Sequence, residues 1–599
     1  MKKTLIVIFI LALSSCSKEL PWSAEGIQTE TLKARIVNTR VSIDDLGKFS
    51  WTDGDKIAVH RSVSGYETAT LSVDGCFSVH LSDGEARDGY AVYPADIVSD
   101  AASLTVNLPA AYSIAKTGMG NYSPLPMIAV NDPEKDDLYF KHLGGILRLV
   151  FPGLPYETQT IIITPDKKIT GNFAVEGLET DSPFIECGAE PGEDIVFTLS
   201  SPAKEKEDFV INLPLPVGTY EALTYKIYDR FGNLVAEKTQ DINITVERGD
   251  GFAPGLDVSI DVSRLPLCAM LDRKGTLQVM NPLGLTIEYS LDNEIWTPFT
   301  EDISIPLNRG QRVYFRGNNK RYSTSRNTET FFKSDVKGFL FGNIMSLITP
   351  EPDDFSVLKV LEEGYNFVGM FGSPNWFSHP DLDLLLPATK LTYGCYLEMF
   401  SFSCISRIDL PATEVADYCY SGMFAYQPIS LRLTHCPVKT LPAIDLADYC
   451  YYGMFRGCAF EEPPVILAKS VGYSSCGYMF ANNGSLKEAP ELHATSIYMS
   501  GYSHMFEGCV SLTKVPYIAN ISYSQSGAFS SMFRWCESLN YMKVMFSTVP
   551  NGVTGSEQEN WLTSAPAANG TFVMNAAATY NPADIGIPSE GWTIETASE

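Results

Sequence analysis

Beyond its first residues the sequence has no apolar run approaching the roughly 18 residues of a membrane-spanning helix. Basic residues are scarce: 44 lysines and arginines stand against 71 aspartates and glutamates, a formal net charge of −27. That balance argues against binding a phosphate backbone, which needs basic surface to release counterions. It fits a soluble, self-repelling protein in an extracytoplasmic space. The motifs of common enzymes are missing as well. There is no HExxH, no GxSxG elbow and no P-loop, and the seven histidines are scattered at 60, 80, 142, 379, 435, 493 and 504. "GMGNYS" at Gly118 lacks the third glycine of a dinucleotide fingerprint. No CxxC pair occurs, so a zinc site with four converging ligands is not expected. The acidic run "DPEKDD" at 132–137 reads as a solvated loop ahead of a cation site. Glycosidase chemistry needs two carboxylates at a set separation, and nothing in the sequence singles out such a pair. No catalytic role, metal or cofactor is expected.

Material for packed cores is abundant: 45% of the 599 residues are hydrophobic and 12% aromatic. The length prior suggests roughly four domains. The opening, "MKKTLIVIFILALSSC", has two lysines, a short apolar run and then small residues, which is the pattern of a secretory signal peptide. Its end, Leu13-Ser14-Ser15-Cys16, resembles the lipobox of bacterial lipoproteins. That resemblance implies a signal peptide over 1–15, lipidation of Cys16 and a tether over 16–30, with anchoring and no span. Loss of Lys2 and Lys3 takes the formal charge to −29. Ser17, in place of Asp, is compatible with sorting to the outer membrane. The expected location is the outer membrane, lipid-anchored and exposed at the cell surface.

From about 31 to 262 the pattern is all β. "KFSWTDGDKIAVH" reads as a hairpin around Asp53-Gly54, because glycine accepts the positive φ such turns need. "TIIITPDKKITGNFAV" and "LTYKIYDRFGNLVAEKT" repeat the idea, and other short strands lie between turn signals, which argues for sandwiches. "TRVSIDDLGKFSWTDGDKIAVH" and the later "LYFKHLGGILRLVF" resemble the first domain of the fimbrillin family. The stretch reaching "LPLPVGTYEALTYKIYDRFGNLVAE" is similar to that family's second β-sandwich. The resemblance implies fimbrillin-like sandwiches at 31–150 and 151–262, in a lipoprotein of the Bacteroidota able to join subunits by strand donation. This chain continues for over 300 residues where the family arrangement ends in a swappable strand. Residues 263–345, with "LTIEYSLDNEIWTPF" and "ISIPLNRGQRVYFRGNN", read as a separate small β module acting as a spacer.

The last third repeats itself. "ADYCYSGMF" at 416–424 returns as "ADYCYYGMF" at 447–455. Met-Phe pairs fall at 370, 399, 423, 454, 479, 505 and 532, at intervals of 24 to 31 residues. Self-similarity at that period is the mark of a solenoid in which each unit is one coil. A single coil cannot bury its apolar face alone, so equivalent positions stack into a continuous core, with Met and Phe inside. Cys395, Cys419 and Cys450 precede Met by four residues and Cys476 by three, while Cys404, Cys458, Cys509 and Cys536 follow it by four or five. "SLKEAP" and "SLTKVP" predict a short strand begun by the Leu and ended by the Pro. The units, with an aromatic, a Cys and a Leu-rich strand, resemble BspA-like leucine-rich repeats, which implies a solenoid over 346–550. Residues 551–599 break the period and read as a C-terminal cap.

Thirteen cysteines in an exported chain invite disulfides. Nine of them sit in the repeats, an odd number, and small side chains recurring at one phase are what stacking predicts, so buried free thiols are the favoured reading. Tyr418, Tyr420, Tyr449, Tyr451 and Tyr452 recur at matching phases, with Tyr393, Tyr396, Tyr473 and Tyr478 near them. They either pack coil on coil or line one face as contacts for a partner. The expected fold is mainly β: tandem fimbrillin-like sandwiches, a small β module, then a leucine-rich-repeat solenoid. The expected function is that of a surface adhesin binding host-matrix protein, another cell or a glycan through the repeats, as BspA-like repeats imply. Two alternatives stand beside it: an accessory or tip component of a fimbria, and a surface glycan-binding protein. Partners would be such surface proteins or glycans, other fimbrillin-type subunits, and the membrane through the lipid, with no nucleic acid.

Overall fold

The structure, a computed structural model, describes residues 27–36, 51, 54–72, 75–100, 104–114, 121–122, 126–203, 208–253, 256, 261–325, 328–428, 435–555, 560–564 and 566–598. The signal peptide, Cys16, Gly118, Asp53 and all of the expected hairpin's first arm but Trp51 lie outside them. Regular structure is almost entirely strand, and the α-helix at Pro352–Phe355 is four residues long. The chain divides into two compact units, broadly residues up to 258 and residues from 259.

In the first unit, period-two patterning sorts side chains between core and solvent. Within Phe77–Ser82, for instance, Phe77, Val79 and Leu81 are buried and the residues between them exposed. Seven strands form one sheet, in which Ile27–Ile36 runs antiparallel to Phe77–Ser82 and parallel to Asp137–His142. A three-stranded sheet of Val98–Asp100, Thr105–Leu108 and Gly171–Ala174 shares a core with it, in which Leu104, Val106 and Phe173 meet Val92 and Ile128. A second sandwich pairs a four-stranded sheet containing Gly145–Phe151 and Phe209–Leu215 with a five-stranded sheet containing Thr158–Pro165 and Gly218–Asp229.

Two expectations are corrected here. "TIIITPDKKITGNFAV" is not a hairpin: Thr158–Pro165 pairs with Ile195–Leu199 and Gly218–Asp229, whereas Gly171–Ala174 crosses to Thr105–Leu108 in the other sandwich. The division at 150 also fails, because Ala111–Ile114 and Gly145–Phe151 serve the second sandwich and Gly171–Ala174 the first. Alternation marks a strand as half-buried without marking which sheet it joins. The second expected hairpin forms as read: Gly218–Asp229 pairs antiparallel with Leu234–Val246.

In the second unit the β module is not separate. One hydrophobic cluster runs from Leu267 through the coils to Trp592. Strand Gly338–Asn343 pairs parallel with Trp376–Ser378 and Leu384–Leu385 of the first coil. Phe332 of the module donates its N–H to the Met370 carbonyl at 2.9 Å, the bond that the Phe of each coil makes to the Met of the next.

Every Met-Phe pair is fully buried. The phenylalanines stack from Phe371 through Phe400, Phe424, Phe455, Phe480 and Phe506 to Phe533, with centroids 5.4–5.9 Å apart and planes within 19°. Burial of each ring contributes about 1.5–3 kcal/mol. Beside the rings runs an unusual backbone ladder in which alternate residues donate to the next coil. In one coil Tyr418, Tyr420, Gly422, Phe424 and Tyr426 donate to the carbonyls of Asp448, Cys450, Tyr452, Met454 and Arg456 at 2.6–3.1 Å.

The period does not break where the sequence suggested. Phe533 donates to the Trp561 carbonyl at 2.7 Å, so Trp561-Leu562 occupies the Met-Phe position of an eighth coil. Parallel strands continue through Tyr541–Val544 and Gly570–Asn575 to Trp592–Ala597. The short strand also starts later than read. Leu512 is buried ahead of Lys514–Ile518, and Pro516 lies inside it, where pairing skips from Val515 to Ile518 and no donor is needed.

Twelve cysteines are described; all are free thiols and all but Cys187 are buried. Those after Met do more than fill space. The Sγ atoms of Cys458, Cys509 and Cys536 donate to the carbonyls of Phe424, Phe480 and Phe506 in the preceding coil at 3.1–3.2 Å. Burial pushes Cys395, Cys450, Cys458 and Cys509 up to about 12, which leaves them unreactive.

Candidate recognition face

From Met399 to Met532 each coil carries left-handed backbone at three positions, five residues before Met, one before it and three after it, and the coil at Met370 carries the first two. Tyr365, Gly394, Tyr418, Tyr449, Ser474, Ser500 and Gly527 hold the first position, with φ between 47° and 67°. Gly369, Glu398, Gly422, Gly453, Tyr478, His504 and Ser531 hold the second, and Phe402, Tyr426, Gly457, Asn482, Gly508 and Trp535 the third. For a residue with a Cβ this conformation costs about 1–2 kcal/mol. The inter-coil ladder holds it in place, since these residues are among its donors: Tyr418 to Asp448, Tyr426 to Arg456 and His504 to Ser530.

Large side chains at and beside these positions reach the surface. Phe402 is 52% exposed, and Tyr393, Tyr426, Trp535 and Tyr473 are between 36% and 44% exposed. One column runs Tyr365, Tyr393, Tyr418, Tyr449 and Tyr473, with successive centroids 4.6–5.5 Å apart. A second contains Tyr452, Tyr478 and His504, in which Tyr478 and His504 stack at 4.5 Å and 4°. Phe402 and Tyr426 form a third pair at 5.5 Å.

Charged groups flank the rings. Asp417 Oδ1 accepts from the N–H of Asp448 at 3.1 Å, and Asp448 Oδ1 from the N–H of Tyr473 at 2.8 Å, so two carboxylates are fixed along the first column. The Tyr449 hydroxyl is pushed up to about 12, chiefly by its hydrogen bond with Tyr473. Along the second column, His504 Nδ1 lies 2.9 Å from Glu507 Oε2, and Arg534 Nη1 lies 3.7 Å from Glu507 Oε1. Burial nevertheless holds the His504 imidazole below its ordinary value.

Of the five tyrosines singled out from sequence, the structure brings three to this face: Tyr418, Tyr449 and Tyr452. Tyr420 and Tyr451 are corrected to the core. They are only 1% and 0% exposed and continue an internal column from Tyr322 through Phe367 and Tyr396. Neither can touch a partner. Phe402, Tyr426 and Trp535 were missed, although all three stand three residues after Met and that recurrence is visible in the sequence.

A groove of about 840 Å³ lies elsewhere on the solenoid, lined by Leu384–Pro387, Arg407, Ile408 and His435 among others. Two of its charged pairs are matched within the chain, Arg407 to Asp383 at 2.7 Å and His435 to Glu462 at 2.8 Å, and it lacks the ring columns of the first face.

No protein-family model and no curated protein matches the chain. Among solved structures it is similar to one from Bacteroides ovatus described as a "putative cell adhesion protein". The identity there is 13% and the TM-score 0.26, over 38% of this chain and 91% of that one. A structure from Bacteroides thetaiotaomicron under the same description gives 12% and 0.21, over 38% and 92%. A leucine-rich repeat protein of Bacteroides thetaiotaomicron gives 9% and 0.16, over 92% of this chain and 80% of that one. Likenesses this weak assign no activity, so the functional reading rests on the face itself.

Proposed function

We propose that the chain is a surface adhesin whose repeat array recognises a partner by shape and charge, without chemistry. One observation carries the reading. Tyrosines occupy left-handed positions, where glycine would relieve about 1–2 kcal/mol apiece. Ring stacking and the partial burial of the rings offset that strain. The rings are nonetheless kept part-exposed on strained backbone, and strain that the surrounding structure holds in place is a pointer to function. Rigid, amphipathic tyrosines give contact area at low entropic cost, as at protein interfaces. The opening sequence supports placing the protein on the outer membrane through a lipid on Cys16, with the array available to partners.

Cells with and without the gene, plus cells making a Cys16→Ala form, test this by adhesion to matrix-protein-coated surfaces and to other bacteria. Adhesion that falls on deletion and is not restored by the unanchored form supports the reading. Equal adhesion by all three contradicts it.

A further inference from the structure

We propose that the aromatic face contains an anion-recognition point at Arg456, which receives a carboxylate side chain of a partner polypeptide. This rests on the adhesin reading and adds the partner's chemistry to it. Arg456 stands two residues after Met454, at the edge of the second column. Its guanidinium carbon lies 5.8 Å from the Tyr426 ring centroid and 5.2 Å from that of Tyr478, so two rings from different coils hold it. Among the described residues no carboxylate pairs with it, and its Nε is buried without a hydrogen-bond partner.

Two other ring-bound arginines, Arg316 and Arg534, differ in that each also meets a carboxylate. Arg316 lies 4.3 Å from the Trp296 ring centroid but also bonds Glu288 at 2.5 Å. Arg534 lies 4.1 Å from the Trp535 ring centroid and reaches Glu507 at 3.7 Å. Glu507, which acts on Tyr478 together with Arg456, is thus engaged by Arg534 and His504. In a chain with 71 carboxylates and 44 lysines and arginines, a guanidinium held by rings and left without an anion is a vacant half of a pair. Its planar fork matches a carboxylate in two-point geometry, and ring contact removes part of the entropy that a free arginine loses on binding.

Three observations favour a polypeptide over an acidic glycan as the source of that carboxylate. A sugar platform needs an open ring face, yet the faces here are spent on each other, as in Tyr418 on Tyr449 at 4.6 Å and Tyr478 on His504 at 4.5 Å. The net charge of −27 repels an extended polyanion. Asp417 and Asp448, fixed along the first column, ask for positive charge from the same partner that brings a carboxylate to Arg456. Polypeptides carry both signs at close spacing.

The test applies the full chain to two arrays, immobilised random-sequence peptides and glycans that include uronate-bearing ones. The peptides retained should be enriched in Asp or Glu next to Lys or Arg. Arg456→Met should weaken binding to them about tenfold to a hundredfold, as expected for a charge-assisted pair, and Arg456→Lys, which lacks the fork, should recover little. Peptides retained without acidic enrichment, or bound equally by Arg456→Met, overturn this inference and leave the adhesin reading in place. Retention of uronate glycans in preference to peptides overturns the polypeptide assignment. If neither array retains the protein, both readings fall.

Discussion

The rings of Tyr418 and Tyr449 stack at 4.6 Å and 9° from parallel, although 31 residues separate them in sequence. Two residues along, Tyr420 and Tyr451 are also neighbours, at 6.0 Å, but inside the core. One short motif therefore feeds two columns, an inner one that holds the solenoid and an outer one offered to solvent. Each prediction below separates these roles.

The hydroxyls of Tyr396 and Tyr451 are buried with no hydrogen-bond partner among the described residues. Removing an unsatisfied polar atom while keeping the ring should help. Tyr396→Phe and Tyr451→Phe are each expected to stabilise the protein by about 1 kcal/mol in chemical denaturation. A loss of stability in both would mean that these hydroxyls do have partners.

Ser500 holds the left-handed position of its coil at φ 57° and donates its N–H to the Ser526 carbonyl at 3.2 Å. Ser500→Gly keeps that bond and relieves the Cβ, so stability should hold or rise. Ser500→Val puts a β-branched residue there and should lose about 1–2 kcal/mol or more. Equal melting temperatures for the two variants would contradict the ladder as the element that enforces this backbone.

Trp561 is fully buried, closes the phenylalanine column against Phe533 at 5.7 Å and donates from Nε1 to the Ile585 carbonyl at 2.7 Å. Trp561→Ala should cost about 3–5 kcal/mol, the usual effect of emptying an aromatic site in a core. A loss below about 1 kcal/mol would mean that the coils end at Phe533.

Acid should weaken the second unit through His379. Burial, with Arg312 and Arg407 nearby, holds its imidazole down at about 3, and its Nδ1 accepts from the N–H groups of Asp381 and Leu382 at 3.2 and 3.1 Å. The folded state thus keeps the ring neutral while the unfolded chain binds a proton near the ordinary value of about 6.5. The stability this provides is complete above about pH 6.5 and is lost as pH falls towards about 3, at up to about 1.4 kcal/mol per pH unit. His379→Gln should flatten that slope in calorimetry of the full chain. His142, held at about 4 by burial and by Arg248, should give the first unit a similar acid sensitivity.

Much of the fold is legible in the sequence, for identifiable reasons. The Met-Phe pairs mark buried positions because each coil's core must repeat, and the hairpin around Gly232 forms because its alternation and turn residues agree. The tyrosines were harder to sort. Helical and strand periods of 3.6 and 2 cannot separate Tyr418 from Tyr420 in a segment whose left-handed residues recur every four positions. Trp561-Leu562 hid the eighth coil because both residues of the Met-Phe pair are replaced while the backbone ladder is kept. Strand alternation could not reveal that Gly171–Ala174 crosses to the first sandwich, since partner choice is set by tertiary packing.

The most direct test of the account is binding by a variant that strips the outer column and spares the inner one. Full-length protein and its Tyr418→Ser/Tyr449→Ser/Tyr473→Ser form would be compared on matrix proteins, whole cells and a glycan array, with melting temperatures measured in parallel. The account predicts saturable binding by the unaltered protein that the triple variant loses at least about tenfold, as expected when interface tyrosines are truncated, while the variant still melts cooperatively. Equal binding by the two proteins, or no saturable binding by the unaltered one, would contradict it.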